Sequence, residues 1–264
     1  YIYGRGSLKA IEYTLPVASA QVKSCLLLAG LYANGKMVIN GADNTRDHTE
    51  RMFKIYQVNR ASRVLVIPGD MSSAAFFIVL ACLKLNTELK LKAVGVNSTR
   101  MGLIDILIRM GAEISLSQKK MACNEPVADV LVKSCSLKGV CVNAMTLVRA
   151  IDEFPILCIA AAFARGVTRI EGTHELQYKE SNRVFAMVKG LSALGIMVQV
   201  EGDTIEITGG KLTHGSVDSF GDHRIAMAFM IASCVAKADI EVLNTDCIST
   251  SFPDFMGRLR ALSE

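Results

Sequence analysis

The chain has 264 residues, 51% of them hydrophobic and 20% charged, with a formal net charge of +4, enough for one large domain or two smaller ones around a substantial core. No apolar run approaches the roughly 20 residues that span a bilayer, and the opening Tyr1-Ile2-Tyr3-Gly4-Arg5 is not a charged-then-apolar leader, so a cytoplasmic protein is expected. The modest charge comes without a basic block interleaved with aromatics, which argues against nucleic acid as a partner.

Taken in order, the sequence writes one unit four times. Ser19-Ala20-Gln21 opens an apolar helix expected over 22–32, a strand follows over 36–40, and Thr45-Arg46-Asp47-His48 closes the copy. Gly69-Asp70-Met71-Ser72-Ser73 opens the second, with a helix over 74–84, a strand over 88–93, Thr99-Arg100 and an amphipathic helix over 103–110. The third begins Ile151-Asp152-Glu153-Phe154-Pro155. It runs through a helix over 156–164 and a strand over 168–171 to Lys179-Glu180-Ser181-Asn182-Arg183 and a second helix over 184–194. A hairpin pairing 198–201 with 204–208 precedes the fourth copy, which has Gly221-Asp222-His223-Arg224, a helix over 225–235, a strand over 239–243 and Ser249-Thr250-Ser251. The first motif is followed by the second at spacings of 25, 28, 27 and 28 residues, counted Gln21 to Arg46, Ser72 to Arg100, Asp152 to Lys179 and Asp222 to Thr250.

The first helix of each copy is apolar all round, as in Ala74-Ala75-Phe76-Phe77-Ile78-Val79-Leu80, and a helix without a polar face is buried on every side. The second helix alternates faces and is expected outside. Strands between them suggest an α/β architecture with helices inside, sheets around them, and helix N-termini gathered at one end; the alternative is an ordinary layered α/β fold in which the motifs need not converge. None of the eight cysteines forms a C-x-x-C pair and the four histidines are not spaced as metal partners, so neither metal nor cofactor is expected. Cys25, Cys82, Cys158 and Cys234 fall inside apolar helical runs, where a thiol packs as a small hydrophobe.

Chemistry is expected at the helix starts, where free N–H groups favour anions. Ser72 and Ser73 read as plain N-caps, whereas Asp222-His223-Arg224, three functional side chains ahead of a buried helix, read as ligand-facing. Glu180 and Arg183 lie one helical turn apart and share a face. Alone they could be a surface ion pair worth about 0.3–0.5 kcal/mol, and Asp152-Glu153 could be a cap. Together they offer two carboxylates and several forked cations at equivalent places in repeated units.

Seven wordings, in one order along the whole chain, resemble the 5-enolpyruvylshikimate-3-phosphate synthase family. They are Leu15-Pro16-Val17-Ala18-Ser19-Ala20-Gln21-Val22-Lys23-Ser24, Arg46-Asp47-His48-Thr49-Glu50-Arg51-Met52, Pro68-Gly69-Asp70-Met71-Ser72-Ser73-Ala74, Ile151-Asp152-Glu153-Phe154-Pro155, Lys179-Glu180-Ser181-Asn182-Arg183, Gly221-Asp222-His223-Arg224-Ile225-Ala226-Met227 and Thr250-Ser251-Phe252-Pro253. Ser-Ala-Gln and Thr-Ser-Phe-Pro resemble the branch that tends to be less sensitive to glyphosate.

The resemblance implies repeated βαβαββ units in two domains, an inside-out α/β barrel with buried helices. Residues 1–68 would be the remnant of a shikimate 3-phosphate-binding domain, and 69–264 a second domain carrying the acid, base and phosphoenolpyruvate-binding residues. It implies enolpyruvyl transfer from phosphoenolpyruvate to the 5-hydroxyl of shikimate 3-phosphate in aromatic amino acid biosynthesis, by a monomer without cofactor. Ser19, Ala20, Gln21, Arg46, Asp152 and Lys179 would hold shikimate 3-phosphate; Gln21, Arg183 and Arg224 would hold phosphoenolpyruvate. Asp152 would act as base and Glu180 as the acid that protonates carbon, with Lys179 beside them. Guanidinium forks suit phosphate and carboxylate, and carbon protonation needs a carboxyl that keeps its proton near neutrality.

Several features depart from the family's pattern. Its N-terminal Lys-Ser-x-x-x-Arg motif, Gly-Asn-x-Gly-Thr loop and a further arginine have no counterpart, so the resemblance covers its C-terminal three-fifths. Part of the pattern is also missing near 58–63; a Cα–Cα step far above about 3.8 Å within 56–66 would mark a chain closed over an absent segment. Asn182 stands for the usual aspartate of Lys-Glu-x-Asp-Arg, and Gln177 for a usual arginine. A 264-residue product is therefore expected to be inactive alone. The alternatives are a catalytically incomplete binding scaffold of the same fold, and the sister enzyme acting on UDP-N-acetylglucosamine.

Overall fold

The computed structural model describes residues 3, 4, 6–42, 45–58 and 65–263. The shortening expected near 58–63 lies, but for Val58, outside the described residues. The chain divides into two compact units, Tyr1–Ile67 with Met121–Glu125, and Pro68–Lys120 with Pro126–Glu264.

The first unit contains β1 (Leu8–Lys9), β2 (Glu12–Thr14), α1 (Ala20–Gly30), β3 (Ala33–Asn34), β4 (Val38–Asn40) and α2 (His48–Val58). β1 runs parallel to β3 and β2 parallel to β4, so each strand before α1 pairs with one after it. Lys23 and Glu50 form an ion pair at 2.7 Å between α1 and α2, and Ser24 and Thr49 share a hydrogen bond at 2.7 Å beside it. α1 departs from expectation. Within it only Lys23 is buried, while Val22 and Leu28 are 44% and 48% exposed, and Cys25 is exposed with them. A helix without a polar face is enclosed only when others of its kind surround it, and among the described residues this unit holds one.

The second unit holds three such helices. In chain order it has α3 (Met71–Leu83), β5 (Glu88–Gly95), α4 (Gly102–Arg109), β6 (Glu113–Ala122), β7 (Glu125–Lys133), β8 (Cys141–Val142), α5 (Ala144–Val148), α6 (Phe154–Phe163), β9 (Val167–Ile170), α7 (Arg183–Ala193), β10 (Met197–Glu201), β11 (Thr204–Thr208), β12 (Gly215–Asp218), α8 (His223–Val235), β13 (Ile240–Leu243), α9 (Ile248–Ser251) and α10 (Phe255–Ser263). α3, α6 and α8 pack against one another at its centre. Buried residues number 11 of 13 in α3, 9 of 10 in α6 and 7 of 13 in α8. α8 is thus the least enclosed, and Cys234 near its C-terminal end is exposed where a packed thiol was expected.

Sheets surround this bundle, with strand orders β5-β7-β6, β10-β11-β9-β8 and β12-β13. Each strand ahead of a central helix meets the strand behind it in parallel: β8 with β9, β12 with β13, and Gly69 with Val94 as a single bridge. The β10–β11 hairpin turns at Glu201 opposite Thr204, where a hairpin pairing 198–201 with 204–208 was expected. Strand, buried helix, parallel strand, outer helix and hairpin is the βαβαββ unit expected from the sequence, an α/β fold with its helices inside. α7 shows the expected two faces, Val184, Met187 and Leu191 buried against Phe185 exposed. α10 closes the bundle: Phe255, with no exposed surface, lies 5.9 Å from Phe76 and 5.6 Å from Phe77 ring to ring.

Candidate active site

Three helix starts of the second unit meet where its cations and carboxylates gather. Asp152 and Glu153 sit on the 3-10 turn Ile151–Glu153 that leads into α6. Arg183 is the first residue of α7, whose cap Asn182 accepts a 3.0 Å bond from the Phe185 amide. Asparagine caps about as well as aspartate, so the exchange at 182 leaves the local fold intact. Asp222 caps α8, accepting from the Arg224 amide at 2.9 Å.

Arg183 is the hub. Its side chain is 1% exposed; Nε donates to Asp222 Oδ2 at 2.8 Å and Nη2 to Glu180 Oε2 at 2.6 Å, while Nη1 lies 3.9 Å from Asp152 Oδ1. Arg224 reaches Asp152 twice, Nη1 donating to its carbonyl at 3.2 Å and Nη2 to Oδ2 at 3.5 Å. Arg183 Nη1 and Arg224 Nε are buried without a hydrogen-bond partner. Two guanidinium groups thus keep unsatisfied N–H donors beside three carboxyls, an arrangement that accepts a phosphate or carboxylate ligand. Burial, and then the neighbouring Arg224 charge, hold the His223 imidazole below its ordinary range, which keeps it neutral near pH 7.

Asp152, Glu180, Arg183 and Arg224 are therefore one cluster. Lys179 points elsewhere, pairing with Glu175 at 2.6 Å. In the first unit Ser19 caps α1 by accepting from the Val22 amide at 3.4 Å, Ala20 begins that helix, Gln21 is exposed on its first turn, and Arg46 is half-buried ahead of α2.

Two features escaped the sequence. Asp222 was read as ligand-facing, yet it has no exposed surface and turns inward to hold Arg183, with Ser181 Oγ donating to it at 3.2 Å. Ser72 was read as a cap, but Asp70 caps α3, accepting from the Ser73 amide at 2.8 Å. Ser72 instead donates to Glu153, a carboxylate 1% exposed, and Arg100 Nη2 donates to Ser72 Oγ at 2.5 Å. Burial pushes the Glu153 carboxyl above its ordinary range, against the pull of Arg100 and Ser72. The signal available was Ser72 and Arg100 at the two motif positions of the second copy, with Glu153 at the first motif position of the third.

Known proteins match the chain over nearly its whole length. The family model for EPSP synthase (3-phosphoshikimate 1-carboxyvinyltransferase) matches residues 1–259. A 3-phosphoshikimate 1-carboxyvinyltransferase of Geobacter metallireducens is 45% identical over 278 positions, covering 99% of this chain and 65% of that protein. One of Acidithiobacillus ferrooxidans is 47% identical, covering 97% of this chain and 62% of its own. The solved EPSP synthase of Acinetobacter baumannii superposes with a TM-score of 0.87 at 40% identity, covering 97% of this chain and 63% of that one. The enolpyruvyl transferase NikO of Streptomyces tendae shares the fold, with a TM-score of 0.66 at 18% identity over 90% of this chain and 57% of its own. The chain spans less than two thirds of the relatives' length. The Geobacter alignment is longer than the chain itself, so that relative holds residues within the span that are absent here.

Proposed function

Because the chain belongs to the EPSP synthase (3-phosphoshikimate 1-carboxyvinyltransferase) family, we propose that it forms the larger part of an enzyme joining phosphoenolpyruvate to the 5-hydroxyl of shikimate 3-phosphate. One observation carries this: a buried Arg183 binds Glu180 and Asp222, faces Asp152, and keeps Nη1 unsatisfied. In the second unit, Arg183 and Arg224 hold the phosphate and carboxylate of phosphoenolpyruvate, and Asp152 and Lys179 take shikimate 3-phosphate, Lys179 leaving Glu175 to do so.

Glu180 gives a proton to the methylene carbon, the adjoining carbon becomes cationic, and fixed negative charge around it lowers the barrier. Asp152 takes the proton of the 5-hydroxyl as its oxygen bonds to that carbon. Glu180, now a carboxylate, takes a proton back from the methyl group as the carbon–phosphate oxygen bond breaks, which restores the double bond, and the proton held by Asp152 leaves with the phosphate. Glu180 lies at the solvent-facing edge of the cluster, with 53% of its side chain exposed.

The test measures phosphate release from phosphoenolpyruvate with shikimate 3-phosphate, after completing the chain with the N-terminal portion of the Geobacter relative. Turnover is expected, and Asp152→Asn or Glu180→Gln lowers kcat by about 10²–10⁴-fold. Release with UDP-N-acetylglucosamine instead, or activity indifferent to both substitutions, refutes the assignment. The coverage of less than two thirds of the relatives favours a second reading for the 264 residues alone: substrate binding without turnover, seen as calorimetric heat with shikimate 3-phosphate and no phosphate release. A cytoplasmic monomer is part of the same proposal, checked by fractionation of expressing cells and by light scattering.

A further inference from the structure

We propose that Glu153 is a positioning residue for this reaction, acting through Asp152 and resting on the activity assigned above. The two side chains leave the same 3-10 turn toward different partners. Asp152 meets Arg224 and faces Arg183. Glu153 runs into the protein, where Ser72 Oγ donates to its Oε1 and Arg100 Nη2 stands 3.6 Å from the same oxygen. Arg100 also reaches Asp70, the cap of α3, at 3.3 Å. A chain of four polar side chains thus joins the start of α3, the 3-10 turn Ser98–Arg100 and the start of α6.

Two further observations say why it is there. Neither Ala150, which caps the turn, nor Glu153, which caps α6, makes a side-chain capping bond. The turn is therefore held by two outside grips: Arg224 on the Asp152 carbonyl at 3.2 Å, and Ser72 with Arg100 on Glu153. The second grip is also an unfavourable way to fill space. A carboxylate 1% exposed, with Glu153 Oε2 and Arg100 Nε lacking partners, is harder to bury than the apolar side chains that fill the rest of α6. What it supplies is direction. A base that misses its proton by an ångström loses most of its effect, and Glu153 fixes the backbone from which Asp152 projects.

The test uses the completed protein described above. Glu153→Gln keeps the size and the bond from Ser72 but removes the carboxylate facing Arg100. Its kcat falls about 10-fold, with KM for either substrate changed less than about 2-fold. Placed on Asp152→Asn, the same substitution changes kcat less than about 2-fold, as expected of a residue that acts through Asp152. Full kcat in Glu153→Gln, or an equal loss on both backgrounds, overturns the proposal. A parent that releases no phosphate counts against the assigned activity instead, and hydrogen exchange on the 264-residue chain then decides. Ser72→Ala and Glu153→Ala should speed exchange of the Glu153 amide, which bonds Ala150 O at 3.0 Å, by at least about 10-fold while leaving α10 unchanged. Unaltered exchange in the turn overturns the proposal without reference to catalysis.

Discussion

A guanidinium with 1% of its surface exposed must have its charge met inside the protein, and Arg183 does so mainly through Asp222, itself without exposed surface, at 2.8 Å. Truncation to Arg183→Met strands that carboxylate, so unfolding in urea should show a loss of about 3–5 kcal/mol. Arg183→Lys recovers only part, since a point charge cannot span Asp222 and Glu180 as the fork does. A loss under about 1 kcal/mol would mean that Asp222 is satisfied by the helix start and Ser181 alone. His223 adds a pH dependence. Its folded value is depressed by burial first and Arg224 second, while the unfolded chain takes up its proton near 6.5. The contribution is therefore complete above that pH and is lost as pH falls toward the folded value. Unfolding between pH 7.5 and 5.5 should show this slope in the parent and a flatter one in His223→Gln. The sequence made Asp222-His223-Arg224 visible as a group but not which way each would turn. Spacing shows which residues begin a helix; which neighbouring helix start they meet depends on how the repeats pack.

Elements were more legible than contacts. An apolar run without a polar face points to an interior helix, and on that pattern α3, α6 and α8 were readable. The same logic failed for α1, because burial depends on neighbours that a single helix's sequence does not describe. β6 and β7 left a weaker mark: Ile114 and Leu116 alternate with exposed residues, but Gln118, Lys119 and Lys120 break the pattern before the turn. Close approaches are still less visible. Gly190 on α7 lies against α8, and a Cβ there would stand 2.3 Å from the tip of the Phe229 ring, which has no exposed surface in which to move. Helix propensity favours Gly190→Ala by about 1 kcal/mol. Overpacking a filled core costs about 1–3 kcal/mol, and here the obstacle is a rigid ring, so the steric term wins. A net loss of stability is expected in urea unfolding, and a gain would show that α7 and α8 can move apart freely.

At the scale of the whole chain, the two units differ in how well they are filled. The second has a continuous core built on α3, α6 and α8. In the first, Leu15 is the one buried hydrophobic residue among those described, and a hollow of about 450 Å³ opens beside Lys23, Leu27, Ile39 and Glu50. Stability follows buried apolar area, so local opening should be frequent in the first unit and tied to global unfolding in the second. Amide exchange of the 264-residue chain should therefore be fast throughout α1 and α2, and slowest in α3 and α6. The relatives' additional length, about a third of theirs, offers a direct way to separate causes. Completing the chain with the Geobacter portion should slow exchange in α1 by at least about 100-fold if that portion supplies the apolar neighbours α1 lacks. Protection of α1 equal to that of α6 in the chain alone would show instead that its exposed Val22 and Leu28 are ordinary surface residues, and that the first unit is complete as it stands.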